Sequence, residues 1–431
     1  GACSQIVSGL TGGVTYYFAV YGKPVDGYRA LWAGESSELP LVTPRPPLAV
    51  VANPGDHRID LNWVENIEED LASYNVYRRI AGQAQYDIYA SGLTTTTLVD
   101  SGVASGLLYQ YVITSVDVTG HESPFSSPVE CYPATFDAGV LIVDEITQDY
   151  SYFPDEAHQA AFFDTLLGDV SYAYTSLSRT PDSLTRSIAG RQSSIIWSDD
   201  DIFYKIINGS TNTLSWYLGN QVNMFVCGYK TLQSWSGLPV PTSHLLYTEF
   251  MVSGYDRTNL DYFDKALGQN GWPSIQWDQL RGIKYYYEYP VLFARAGATP
   301  VLINDSPNDN VHTEGMPIAL AYSGPHGKRV ILTVPLYYLT PASASAFMAK
   351  VLEYFGESNR PIPAGDNNGS GFVDLSDLSA LVAYMTQGTP LVHPNGGDNN
   401  HSCGIDLSDL SRLVAYLVTG QPDLQQGCVT P

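Results

Sequence analysis

Oxygen-bearing side chains recur at fixed intervals near the carboxyl end of the chain. The run Asp366-Asn367-Asn368-Gly369-Ser370-Gly371-Phe372-Val373-Asp374-Leu375-Ser376-Asp377 returns 32 residues later (398 − 366) as Asp398-Asn399-Asn400-His401-Ser402-Cys403-Gly404-Ile405-Asp406-Leu407-Ser408-Asp409. Positions 1, 3, 5, 9 and 12 carry side-chain oxygen: Asp366, Asn368, Ser370, Asp374 and Asp377, then Asp398, Asn400, Ser402, Asp406 and Asp409. Position 7, Phe372 or Gly404, has a backbone carbonyl to offer. Such a donor set suits a hard cation that gathers many oxygens, which points to Ca²⁺ and to two sites. The plainer reading is a polar turn ahead of an amphipathic helix. Two copies with matched ligands and matched helices argue against coincidence.

Each loop runs into an apolar stripe at helical spacing, Leu378, Leu381, Val382 and Met385, then Leu410, Leu413, Val414 and Leu417. The acid at position 12 falls on the first helical turn, where negative charge is favoured. Position 6 is where the sharp turn asks for glycine. It is Gly371 in the first copy but Cys403 in the second, with Gly404 following. The second site is therefore expected to be weaker, or to have its turn held by a disulfide. Cys403 and Cys428 bracket the second helix, and a bridge between them would tie the tail back to the loop.

The tandem resembles a type I dockerin, the calcium-dependent docking module of secreted bacterial proteins, over about residues 364–424 of a module spanning 359–431. The resemblance implies one helix per loop and a cohesin-like partner. It also implies that positions 10 and 11, Leu375-Ser376 and Leu407-Ser408, help select that partner through two nearly equivalent faces.

With 431 residues the chain has room for about three domains. Acids outnumber bases 44 to 21, giving a net charge of −23 although charged residues are only 15%. Such a surface repels nucleic acid and anionic lipid. No run of apolar residues is long enough to span a bilayer. Gly1 is not a natural start, so a processed or partial product is expected. The five cysteines, Cys3, Cys131, Cys227, Cys403 and Cys428, form no CxxC pair, and their odd number leaves at least one free or paired to another chain. A Cys3–Cys131 bridge is conceivable.

Residues 45–134 read as a β-sandwich. Ile59–Trp63, Tyr74–Tyr77 and Tyr109–Ile113 alternate between turn signals. Trp63, the Tyr74-x-Val76-Tyr77 strand and the Gly106-x-x-Tyr109 corner resemble a fibronectin type III domain. Residues 1–44 repeat only its second half: Gly13-Val14-Thr15-Tyr16 matches Gly106-Leu107-Leu108-Tyr109, and Glu35–Val42 reads as a last strand. Half a sandwich leaves an apolar face open. Another protein chain or an upstream precursor segment is expected to cover it, by edge addition in the first case, unless these residues pack on the next domain.

Residues 135–358 have α/β texture. Strands are expected at 139–144, 194–197, 222–227, 300–303, 318–322 and 329–334, with helices at 155–167, around 211–218 and at 341–355. The alternation argues for a mostly parallel, doubly wound sheet. The fold class is thus multidomain: fibronectin-like β-sandwich, α/β doubly wound sheet and small all-α calcium-loop module. The block resembles the class I glutamine amidotransferase-like fold through Gly139–Asp144, Tyr217-Leu218-Gly219 and Gly327–Leu336. That family places a nucleophilic Cys on a strand-to-helix elbow, where Cys227 stands, and a His-x-Glu pair after a late strand. Here the late strand ends Val334-Pro335-Leu336-Tyr337, and His312-x-Glu314 comes one strand too early. No catalytic residues are assigned, and no enzyme activity is expected. Asp199-Asp200-Asp201 could hold a cation or cap a helix, with capping favoured, and Asp144-Glu145 is equally ambiguous. The aromatic run Tyr285–Tyr289 suggests a packed interface more than a sugar platform.

Together these features point to a secreted or cell-surface, non-catalytic, calcium-binding structural or adhesion protein. One version is a subunit of an extracellular filament or sheath, a homo-polymer in which a neighbour completes residues 1–44. The alternatives are the C-terminal accessory region of a secreted hydrolase or peptidase, and a cohesin-binding component of a multi-enzyme complex.

Overall fold

The computed structural model describes residues 7–10, 14–21, 32–38, 43–145, 154–168, 170, 172–177, 183–199, 207–228, 232, 235–256, 263–281, 289–306, 313–358, 363–368, 373–389, 391, 394–421, 423–425 and 427. The chain divides into two compact units, Gly1–Pro133 and Ala134–Pro431.

The first unit opens with an antiparallel pair, β1 (Tyr16–Tyr21) and β2 (Trp32–Glu38), with Tyr16 opposite Glu38. The second strand starts three residues before the expected Glu35. Seven strands then make a sandwich: β3 (Leu48–Gly55), β4 (Arg58–Val64), β5 (Leu71–Ile80), β6 (Asp87–Leu93), β7 (Thr97–Asp100), β8 (Tyr109–Asp117) and β9 (Val129–Cys131). One sheet has the order β3-β4-β7, the other β6-β5-β8-β9. Alternate residues face inward and bury Ile59, Leu61, Trp63, Tyr74, Val76, Tyr111 and Ile113. Trp63 meets Tyr74 edge-on at 5.4 Å. The corner forms as expected, with the Tyr109 hydroxyl accepting the Ala104 amide at 3.0 Å. Asp100, wholly inside, accepts from Arg78 (2.8 Å), Tyr89 (2.6 Å) and Tyr111 (2.7 Å). Cys131 is a buried free thiol, which rules out the conceivable Cys3–Cys131 bridge.

The second unit is built on a nine-stranded sheet. Its strands are β10 (Val140–Glu145), β11 (Tyr172–Leu177), β12 (Ser194–Asp199), β13 (Asn223–Gly228), β15 (Lys265–Gly268), β16 (Ile275–Gln276), β18 (Thr299–Asn304), β19 (Pro317–Gly324) and β20 (Gly327–Leu332). A separate pair joins β14 (Val252–Asp256) to β17 (Val291–Ala294). The order is β11-β10-β12-β13-β20-β19-β18-β15-β16. The strands from β11 to β20 run parallel, while β19, β18, β15 and β16 pair antiparallel. The sheet is therefore mixed, where the sequence suggested mostly parallel pairing. Along β10, Val140 and Ile142 enter one core while Leu141 and Val143 enter the other. Burial on both faces explains why these strands read as unbroken apolar runs. Helices Glu156–Leu167 and Pro341–Phe355 cover one face, and Thr211–Leu218 the other.

Several sequence readings change here. Asp199 ends β12 and is fully buried, so it does not open a helix, and Asp200 and Asp201 lie outside the described residues. Glu145 accepts the Trp197 indole N–H at 2.7 Å, and Asp144 accepts the Tyr174 hydroxyl. Cys227 is a fully buried thiol in β13, in register with Ser198 and Leu332. His312 lies outside the described residues, and Glu314 is exposed. Tyr289 is a core residue against Phe263 at 5.2 Å, and Tyr285–Glu288 lie outside the described residues. Among the described residues no helix is long and apolar enough to cross a membrane.

Candidate metal centre

The two repeats close the second unit. Each feeds a helix, Leu375–Gln387 and Leu407–Thr419, and a short turn of helix, Pro394–Gly397, precedes the second loop. Leu381, Leu391 and Leu413 form the small buried core between them. The loop entrances are tied by backbone. Gly365 donates to the Gly396 carbonyl at 3.1 Å, and Gln425 donates to Asn399 at 3.0 Å.

In both loops the acids at positions 1 and 12 are buried: Asp366, Asp377, Asp398 and Asp409 are each 0% exposed. Asp377 accepts the amides of Asn367 (2.8 Å), Asn368 (3.1 Å) and Asp374 (2.8 Å). Asp409 accepts those of Asn400 (3.2 Å) and Asp406 (2.9 Å). Asp398 accepts from Ser402 and Cys403, both at 2.9 Å. Asp374 and Asp406 cap their helices by accepting the Ser376 and Ser408 amides at 2.8 and 2.7 Å, and each forms a capping box with the acid three residues on. Asn368 and Asn400 donate through Nδ2 to the hydroxyls of Ser376 and Ser408. Ser402 and Gly404 are exposed at the lip of the second loop, whereas Ser370 and Phe372 lie outside the described residues.

Electrostatics marks the first loop. Burial, then the neighbouring charges of Asp366 and Asp374, push the Asp377 carboxyl up to about 7 against the pull of its amide donors. A divalent cation between these oxygens reverses that penalty. Among the described residues no group of three or more His, Cys, Asp or Glu is gathered as a metal site. The donor set proposed from sequence is instead mixed, with carboxylate, amide, hydroxyl and carbonyl oxygens, as hard cations accept. The residues present therefore fit Ca²⁺ in the chemistry of their oxygens. In the described geometry the position-9 acid is turned towards its helix cap.

The second loop answers the position-6 question. Cys403 itself takes the left-handed turn at φ +63, beside His401 at φ +60, so the turn has not moved to Gly404. Cys403 is disulfide-bonded, and Cys428 lies outside the described residues. Positions 10 and 11 are alike in exposure in the two loops. Leu375 and Leu407 are 53% and 69% exposed, each next to an exposed serine. Sequence reasoning passed over Asn367 and Asn399 at position 2. Both are fully buried and donate through Nδ2 to the carbonyls of Asp377 and Asp409 at 3.0 and 3.3 Å. The doubled Asp-Asn-Asn opening was the available signal.

No family model matches the chain. It is 38% identical over 94 residues to an amylopullulanase of Thermoanaerobacter thermohydrosulfuricus, covering 22% of this chain and 6% of that protein. An amylopullulanase of Thermoanaerobacterium saccharolyticum matches at 38% over 94 residues, 7% of its length. The chain thus spans only a small part of these relatives. Among solved structures, an Fn3-like protein from Clostridium thermocellum is 29% identical over 21% of this chain and 92% of that one, with a TM-score of 0.19. A β-1,2-glucanase from Parabacteroides distasonis is 24% identical, covering 26% of this chain and 16% of that one, with a TM-score of 0.19. What is shared with the amylopullulanases is a segment the size of the sandwich, within a multidomain, β-rich chain.

Proposed function

We propose that this chain is a non-catalytic accessory region of a secreted bacterial hydrolase. The sandwich serves as a module beside a catalytic domain, and the carboxyl-terminal tandem as a calcium-stabilised docking end. The observation that carries this reading is the match to amylopullulanases at 38% over 94 residues. It favours the accessory role over a filament or sheath subunit. The amidotransferase-like block takes no part in chemistry within this reading, since its elbow thiol, Cys227, is fully buried.

Within this reading Asp366, Asn368, Ser370, Phe372 (carbonyl), Asp374 and Asp377 hold one Ca²⁺. Asp398, Asn400, Ser402, Gly404 (carbonyl), Asp406 and Asp409 hold the second, with the turn braced by Cys403–Cys428. Leu375-Ser376 and Leu407-Ser408 face a cohesin-like partner, and an upstream segment or another chain covers residues 1–44. The test is a denaturing zymogram of the culture medium, cast with pullulan or starch and blotted with antibody to this chain. The antigen should coincide with a hydrolytic band. Complete separation of the two defeats the proposal.

A further inference from the structure

The outer face of the β6-β5-β8-β9 sheet carries a feature that spacing and covering roles do not require. Strand register sets Ile88, Tyr77 and Val112 in one apolar row across three strands, with Val112 buried at 2% and Ile88 and Tyr77 left to the surface. Phe125 packs on Tyr77 at 5.0 Å and reaches Tyr86 at 5.8 Å. Ile88 stays 58% exposed and Phe125 50%. Polar pairs in the same register flank the row, Asn75 with Thr114 on one side and Arg79 with Gln110 on the other.

These polar groups are held before any ligand arrives. Glu122 Oε1 accepts from Asn75 (2.9 Å), Tyr77 (2.7 Å) and Thr114 (2.5 Å). Arg79 donates to Gln110 at 2.8 Å and lies 4.3 Å over the Tyr86 ring. Gln110 in turn donates to Glu130 at 3.0 Å, so one guanidinium faces two carboxylates and the patch is slightly acidic, which disfavours anionic ligands. Neutral ring faces edged by fixed planar hydrogen-bonding groups suit a ligand with apolar C–H faces and many hydroxyls. Because the polar groups are already ordered, little side-chain entropy is lost on contact. Three strands at about 4.8 Å spacing give a row only roughly 10 Å wide, far short of the roughly 800 Å² per partner of a stable protein interface.

We propose that this face is a contact site for a neutral polysaccharide, with Phe125 and Ile88 as the stacking surface and the Arg79–Gln110 and Asn75–Glu122 groups bonding hydroxyls. This goes beyond the accessory-region reading, and neither its success nor its failure alters the zymogram result. The full chain is run in native gels containing pullulan, amylopectin or barley β-glucan. Retardation by at least one is expected, and the arms tell α- from β-linked glucan. Phe125→Ala and, at the more exposed position, Ile88→Ser should each weaken binding about tenfold with the melting temperature kept. The proposal is overturned if no polysaccharide slows the native chain, or if folded Ile88→Ser runs as the native chain does. A face that instead captures only proteins gives that same unslowed result.

Discussion

Acid should tighten the helix of the first repeated loop, Leu375–Gln387, when metal is absent and loosen it when calcium is present. Asp377 lies wholly inside the loop, where burial and the charges of Asp366 and Asp374 raise its carboxyl from 3.8 to about 7. A carboxyl raised on folding binds more protons in the folded state. Its contribution is therefore greatest below the unfolded value, falls as pH rises through about 4 to 7, and is flat above. The full span corresponds to roughly 4 kcal/mol, which residual solvent screening lowers to about 2–3 kcal/mol. Asp406 shifts the other way, held low chiefly by the Ser408 hydroxyl and amide, but its effect enters only as pH falls through the ordinary carboxylate range. Calcium inverts the sign, because its ligands must be ionised and protons compete with the ion. The assay is hydrogen exchange across Leu375–Gln387 on resin-stripped protein, at about pH 5 and about pH 7.5, corrected for intrinsic rates. The window from about pH 5 to about pH 7.5 holds roughly 60% of that span, so metal-free protein should be protected roughly 8- to 20-fold better at the lower pH. Asp377→Asn should remove that difference, and saturating calcium should reverse it. Greater protection of the stripped protein at the higher pH, or indifference to calcium, refutes the reasoning.

Replacing Asp100 by Ala strands Arg78 and the buried Tyr111 hydroxyl, and should cost about 3–5 kcal/mol by calorimetry of the sandwich transition. A methyl on Gly396 would sit 2.2 Å from the Asp366 carbonyl oxygen, so Gly396→Ala should disturb the first loop and weaken the tighter phase of a calcium titration at least about tenfold. Burial, with the charge of Asp60, pushes the Cys131 thiol up to about 12, and Cys227 is fully buried. Timed iodoacetamide labelling should therefore leave both unmodified until denaturant is added, and rapid native labelling at Cys227 would reopen the question of a nucleophile.

How far the fold could be read from sequence depended on how local its causes are. The helix predicted at 155–167 forms from Glu156 because Asp155 accepts the His158 amide, and the one predicted at 341–355 runs from Pro341 to Phe355 because Thr340 caps it and Gly356 ends it at φ +88. Such signals lie within a few residues of the element they bound. β11, β14, β15, β16 and β17 were missed: the last four are two to five residues long and two of them contain glycine, while β11 is an edge strand without an unbroken apolar run. The antiparallel half of the large sheet was also hidden, since strand order is set by distant partners. The same holds for the Ile88–Tyr77–Val112 row, which exists only once three strands are in register. At position 6 the sequence put Cys403 where the sharp turn asks for glycine. Cys403 takes that turn while its amide is held by Asp398.

The repeated loops could be explained by helix capping alone, and capping does account for part of them. Asp374 and Asp406 accept the first-turn amides of Ser376 and Ser408, and Asp377 and Asp409 return a bond to the cap backbone. Nothing in that role asks for an acid at position 1. Yet Asp366 and Asp398 are both 0% exposed, and the charge of Asp366 raises the carboxyl of Asp377. Burying like charges together is unfavourable unless an opposite charge joins them. A sequence shaped only for caps would keep Asp-Leu-Ser-Asp and let the earlier acid drift to a neutral residue. The decisive comparison is therefore Asp366→Asn in metal-free protein. If the loop exists for capping, this change should leave stability as it was. If it exists for a cation, the variant should be more stable than the native chain without metal and less stable in calcium, and only that crossing supports the cation.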